Sequence, residues 1–177
     1  MLLLKKVISI QIIVIIVLIT LIVNKNNINT KKNNTIDSIL YKIEEASNEK
    51  YYGRLFINKI GLNEYFYDIN DTRNNVDIGI EVLKPSIMPD KDNSKLFLAS
   101  HSGNSNISYF KNINRLEYND EVLIYYNNKC YRYLVIDKYE IIKNGKLDIK
   151  EIEDNSLVLI TCVRDTNRQL VIICKLQ

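Results

Sequence analysis

LVLITCVRDTNRQLVII, residues 157–173, consists of two apolar runs around a short polar connection. The runs are rich in Val, Ile and Leu, and each is too short for a helix. They read as buried core strands. Cys162 closes the first run and Arg168 opens the second, so a thiol and a guanidinium stand where a core gives way to a polar loop.

Working outward, the same strand signature recurs. GRLFINKIGL (53–62) brings Leu55, Ile57, Ile60 and Leu62, and KLFLAS (95–100) is a short apolar run ending in small residues. DEVLIYYNNKCYRYLVIDKYEII (120–142) holds two alternating stretches around Asn127-Asn128, a dipeptide that tolerates positive φ, so it reads as a hairpin. Asn144-Gly145 marks a further turn. Seven or eight short strands joined by polar loops argue for a closed or nearly closed β-barrel. One short helix is expected in SNISYFKNINRL (105–116), and no internal repeat is visible.

The N-terminal third has a different character. Residues 7–23, VISIQIIVIIVLITLIV, carry no charge, and the preceding leucines can lengthen the run to a membrane span. No small-residue cleavage site follows Val23, so an uncleaved transmembrane anchor is expected rather than a signal peptide. Lysines flank both ends and barely discriminate orientation; a short cytoplasmic tail with the domain translocated is the simpler topology. Residues 24–34 are Asn- and Lys-rich and can bury nothing, which makes them a stalk. Ile36, Ile39, Leu40 and Ile43 then define one apolar helical face, with Thr35 as N-cap. The expected organisation is cytoplasmic tip and anchor (1–23), stalk and amphipathic helix (24–50), and one β domain (51–177). A net charge of +3 with scattered Lys and Arg excludes the dense basic stripe of a nucleic-acid-binding surface.

Candidate chemistry is sparse. His101, in FLASHSGN, is the chain's one histidine, and the cysteines are Cys130, Cys162 and Cys174. Cys130 and Cys174 fall inside strands, where a thiol is usually a small apolar filler. Cys162 differs because it leaves its strand for a polar connection. Three roles compete for it. A disulfide suits a translocated domain, but three cysteines leave one over. A Cys/His zinc site needs closely spaced cysteines, and the nearest two are Cys162 and Cys174. The third role is a nucleophile with His101 as proton partner and a nearby arginine holding developing negative charge. No cofactor is implied.

SHSGN after an apolar strand, LITC at a strand end, and Arg168 leading QLVIICKL resemble the His, Cys and Arg signatures of the sortases, membrane-anchored cysteine transpeptidases of Gram-positive bacteria. GRLFINKIGLNEYFYD resembles that family's opening strand pair, and SYFKNINRLEYNDEVLIYYNNKCYRYLV its helix-then-hairpin stretch. The likeness therefore covers about residues 52–176. It implies a mainly β fold, a closed eight-stranded barrel with one or two short helices behind the anchor. It implies that Cys162 is the nucleophile, His101 the general acid and base, and Arg168 the oxyanion and substrate-positioning group. Ser100, Thr161 and Arg164 would line the substrate site. The implied reaction cleaves an LPXTG-like sorting signal of secreted proteins between Thr and Gly. The acyl group then passes to an amine of a peptidoglycan precursor or of a pilin subunit.

Two departures stand out. Ser100 occupies a position where the family often has Gly, and Asn58 one where it often has Pro. Arg164 is a second candidate for the oxyanion role, but a strand-held donor such as Arg168 is better fixed. The stalk lacks the Asp-Pro-aromatic lid of pilin-polymerising members, and the stretch after Tyr139 is too short for a class B insertion, so a class A- or D-like member is expected. The alternatives are a pilin-polymerising sortase and a non-catalytic surface protein that keeps the barrel for binding. An L,D-transpeptidase would show His and Cys in one short run, whereas here they lie about sixty residues apart.

Overall fold

The computed structural model describes residues 51–145 and 149–177. The expected anchor, stalk and amphipathic helix lie outside the described residues.

Eight strands form one sheet: β1 (Gly53–Ile57), β2 (Leu62–Phe66), β3 (Glu81–Val82), β4 (Lys95–Ala99), β5 (Glu121–Tyr126), β6 (Lys129–Ile142), β7 (Ser156–Val163) and β8 (Arg168–Leu176). Their order is β2-β1-β5-β6-β8-β7-β4-β3, antiparallel throughout except for the parallel β4–β7 pair. The two edges approach through a single bridge, Phe66 to Ile80, so the sheet curls into a nearly closed eight-stranded barrel.

Local chemistry sets the corners. Asn127 and Asn128 adopt φ of 53° and 60°, the conformation of a type I′ turn, and join β5 to β6 as expected. β6 is long enough to pair with β5 and then β8, and an irregularity between Val135 and Asp137 bends it from one partner to the other. Gly53 sits where a Cβ would lie 2.3 Å from Phe66 Cζ; only glycine lets that ring close over β1. The stretch 105–116 forms only a 3₁₀ turn, Ile113–Arg115. Phe110, Ile113 and Leu116 recur every three residues and are all buried, a period that suits 3₁₀ geometry better than an α-helix.

The pleat divides the apolar residues between two faces. Leu157, Leu159, Leu170, Ile172 and Cys174 fill the barrel interior with residues from β1, β2 and β5. Val158, Ile160, Val171 and Ile173 form a second cluster on the outer face, packed against Phe97, Ala99, Tyr139, Ile141, Ile149 and Ile152. This two-sided burial explains why 157–160 and 170–173 are continuously apolar instead of alternating.

Candidate active site

β4 and β7 run parallel, with Ala99 opposite Ile160 as their last pair. His101 and Cys162 each lie two residues beyond that pair, at the same height on neighbouring strand ends. Ala99 and Ile160 belong to the outer cluster, and a two-residue step returns a side chain to the same face. The ladder therefore brings the only imidazole and the strand-end thiol to one rim of the outer face.

Hydrogen bonds fasten the two segments together. Thr161 Oγ1 donates to the Ser100 carbonyl at 2.7 Å, and Ser102 Oγ donates to the Cys162 carbonyl at 2.5 Å. From the β7–β8 loop, Arg164 donates through Nε to the Ser102 carbonyl and through one terminal nitrogen to the Gly103 carbonyl and Asn104 Oδ1, at 2.9, 2.9 and 2.6 Å. Residues on both sides of His101 are thus held by residues on both sides of Cys162. Ser100 and Thr161, expected to line the substrate site, are 4 % and 5 % exposed; Thr161 spends its hydroxyl on the bond above, and Ser100 donates its own to the Gly79 carbonyl.

Three cations stand near the thiol in sequence or space. Lys143, just beyond β6, places Nζ 3.7 Å from Cys162 Sγ. Arg168 pairs across the ladders with Val163 and Ile142, while Cys162 pairs with Gln169. Directly paired residues share a face, so the pleat sends Arg168 to the side opposite Cys162. There its Nε donates to Glu140 at 2.6 Å. Arg164 is occupied by the carbonyls described above. His101 Nε2 lies 2.9 Å from Asp77 Oδ1, in the loop between β2 and β3. Neither Lys143 nor Asp77 was signalled by the sequence, because each meets its partner only through the fold.

None of the three cysteines is in a disulfide. Cys130 is exposed on β6, and Cys174 lies in the barrel interior, where burial pushes its thiol well above the ordinary range. A neutral thiol is no nucleophile. Cys162 alone is partly exposed at the end of the strand that neighbours the one leading into His101.

A thiol and an imidazole at adjacent strand ends, with cations close by, define a candidate cysteine-nucleophile site on a β-barrel. Residues 55–177 match the Sortase domain family model, and the chain belongs to the sortase family. Similar folds include sortase C1 from Streptococcus agalactiae, at 18 % identity over 75 % of this chain and 70 % of that one, with a TM-score of 0.63. Sortase C-1 from Actinomyces oris aligns at 21 % identity over 79 % and 81 %, TM-score 0.63. A lid mutant of sortase A from Corynebacterium diphtheriae aligns at 19 % over 75 % and 73 %, also 0.63. No curated protein matches the sequence significantly.

Proposed function

We propose that the chain is a cysteine transpeptidase acting on an LPXTG-like sorting signal of secreted proteins. The observation that carries this reading is the level placement of His101 and Cys162 at the ends of parallel β4 and β7. Cys162 thiolate attacks the Thr carbonyl, and the Thr–Gly C–N bond breaks as His101 protonates the departing amine. The resulting thioester is attacked by an acceptor amine, whose proton returns to His101 as the thiolate leaves. Lys143 provides positive charge beside the sulfur. Arg168, held against Glu140 on the face opposite Cys162, stands away from the acyl oxygen. The acceptor is an amino group of a peptidoglycan precursor, and residues 7–23 hold the enzyme in the membrane with its barrel outside, where secreted substrate and acceptor meet.

A pilin amine as acceptor is the second reading. One similar structure, the pilus-related sortase C of Group B Streptococcus, favours it. Incubating the full chain in detergent with LPXTG-like peptides and hydroxylamine tests the chemistry: a hydroxamate ending in Thr is expected. Absence of that product across the peptide panel would remove the sorting-signal reading.

A further inference from the structure

Asp77 lies in the loop between β2 and β3, twenty-four residues before the histidine it meets. Its backbone is tightly fixed for a loop residue. Asn75 Oδ1 accepts the Asp77 N–H at 2.9 Å, and the Asn75 carbonyl accepts the N–H groups of Ile78 and Gly79, both at 2.9 Å. Ile80, immediately after this turn, is buried and makes the bridge to Phe66 that closes the barrel. The turn is also tied to the catalytic strand: Ser100 Oγ donates to the Gly79 carbonyl at 3.1 Å. Ser100 is the residue before His101, and a glycine there would have no hydroxyl to give. The hydroxyl by which this chain departs from the family pattern thus anchors the turn that presents Asp77.

We propose that Asp77 is a positioning residue for His101, fixing its ring and its tautomer. This rests on the transpeptidase reading above and goes beyond it by assigning the two ring nitrogens. An ionised carboxylate only accepts hydrogen bonds, so the proton between Asp77 Oδ1 and Nε2 belongs to Nε2. In the neutral ring Nδ1 then carries the free lone pair. In the imidazolium Nδ1–H is the proton that goes to the departing amine, and Nδ1 takes a proton back from the incoming amine. Without the carboxylate, both the ring orientation and the tautomer are free to vary. The side chains are 40 % and 75 % exposed, so the pair contributes little to stability, and its effect lies in orientation.

The chain contains a single histidine, so labelling its imidazole nitrogens with 15N gives one pair of ring signals. The full chain in detergent micelles, followed from about pH 5 to about pH 9, reports the tautomer on the neutral side of the titration. The wild type is expected to show protonated Nε2 and bare Nδ1. Asp77→Asn should shift that population, and Asp77→Glu should restore part of it. In the hydroxamate assay Asp77→Asn should lower kcat by roughly 10- to 100-fold, in the range of lost orienting partners, with KM within about twofold. Asp77→Glu should recover part of kcat. A wild-type ring protonated on Nδ1, or the same tautomer in wild type and Asp77→Asn, would overturn the proposal. So would a shifted tautomer with kcat unchanged. If the wild type forms no hydroxamate, the transpeptidase reading fails instead, while the tautomer still decides whether Asp77 holds the ring.

Discussion

Replacing Thr161 by Val probes the join between the β4 and β7 ends. The Thr161 hydroxyl is buried, and its 2.7 Å bond to the Ser100 carbonyl lies one residue from both His101 and Cys162. Valine keeps the shape and removes the donor, so the Ser100 carbonyl loses its side-chain partner inside the protein. Leaving a buried acceptor unpaired costs about 1–3 kcal/mol, and the added methyl offsets about 0.8 kcal/mol at most. A net loss of roughly 0.2–2 kcal/mol is expected. For a domain covering Tyr51–Gln177, an unfolding entropy of about 2.1 cal/mol/K per residue makes each kcal/mol worth roughly 4 °C. Thermal unfolding followed by circular dichroism should therefore show Tm lowered by about 1–8 °C. Thr161→Ser keeps the donor but loses a methyl, costing about 1 kcal/mol, so stability alone separates the two variants poorly. Turnover separates them: Ser should keep kcat near wild type, and Val should lose several-fold because the His101 segment is loosened. A Val variant that melts at the wild-type temperature and turns over normally would show that this bond neither stabilises the rim nor aligns the two residues.

Cys162→Ala should abolish hydroxamate formation, while exposed Cys130→Ala should match wild type in rate and Tm; cleavage by the Cys162 variant would remove it as nucleophile. Cys174→Ser places a hydroxyl in the barrel interior and should cost about 1–3 kcal/mol by denaturant titration, with the rate per folded molecule unchanged. Arg168→Lys, on the face opposite the thiol, should leave turnover within a few-fold of wild type, whereas a loss of about 10²–10³-fold would return the acyl-oxygen role to Arg168. Glu64 is half-buried, and desolvation raises its carboxyl above the ordinary 4.5, so the charged form opposes folding. A raised carboxyl favours the fold below the unfolded-state value and loses that advantage as pH rises through the folded one. Glu64→Gln should accordingly be more stable than wild type at neutral pH, with the gap closing below about pH 4 in urea titrations; a gap independent of pH would show that burial of the charge is not the cause.

Much of this barrel was legible because its strands announce themselves by apolar runs and Asn-rich turns. The β5–β6 hairpin followed from Asn127-Asn128, and the burial of β7 and β8 on both faces followed from their continuous Val, Ile and Leu. The short helix expected in 105–116 is present as a 3₁₀ turn, Ile113–Arg115; only its type was not legible, because a period of three is hard to separate from one of 3.6. His101 and Cys162 were legible for a chemical reason: one is the only imidazole, and the other is a thiol placed where its strand opens into a polar loop. Asp77, Lys143 and the loop-fastening bonds of Arg164 left no local trace. Each joins segments far apart along the chain: Lys143 meets Cys162 through the β6–β8–β7 ladders, and Asp77 meets His101 through the β2–β3 loop.

The position of Arg168 shows how little separates a legible site from an illegible one. Residues 164–167 connect β7 to β8, and that length opposes Val163 to Arg168 and Cys162 to Gln169. Because side chains alternate with a period of two, a connection one residue longer or shorter would bring the guanidinium to the face of the thiol. The register is not free to slip, since Leu170, Ile172 and Cys174 fill the interior while Val171 and Ile173 fill the outer layer. Core packing thus fixes Arg168 on the Glu140 side, and the face that carries Cys162 receives its positive charge from the end of β6. A motif read as Cys, then Arg six residues later, carries the residue types of the chemistry but not the face on which each is delivered. That is decided by the apolar residues of β8, which take no part in the reaction.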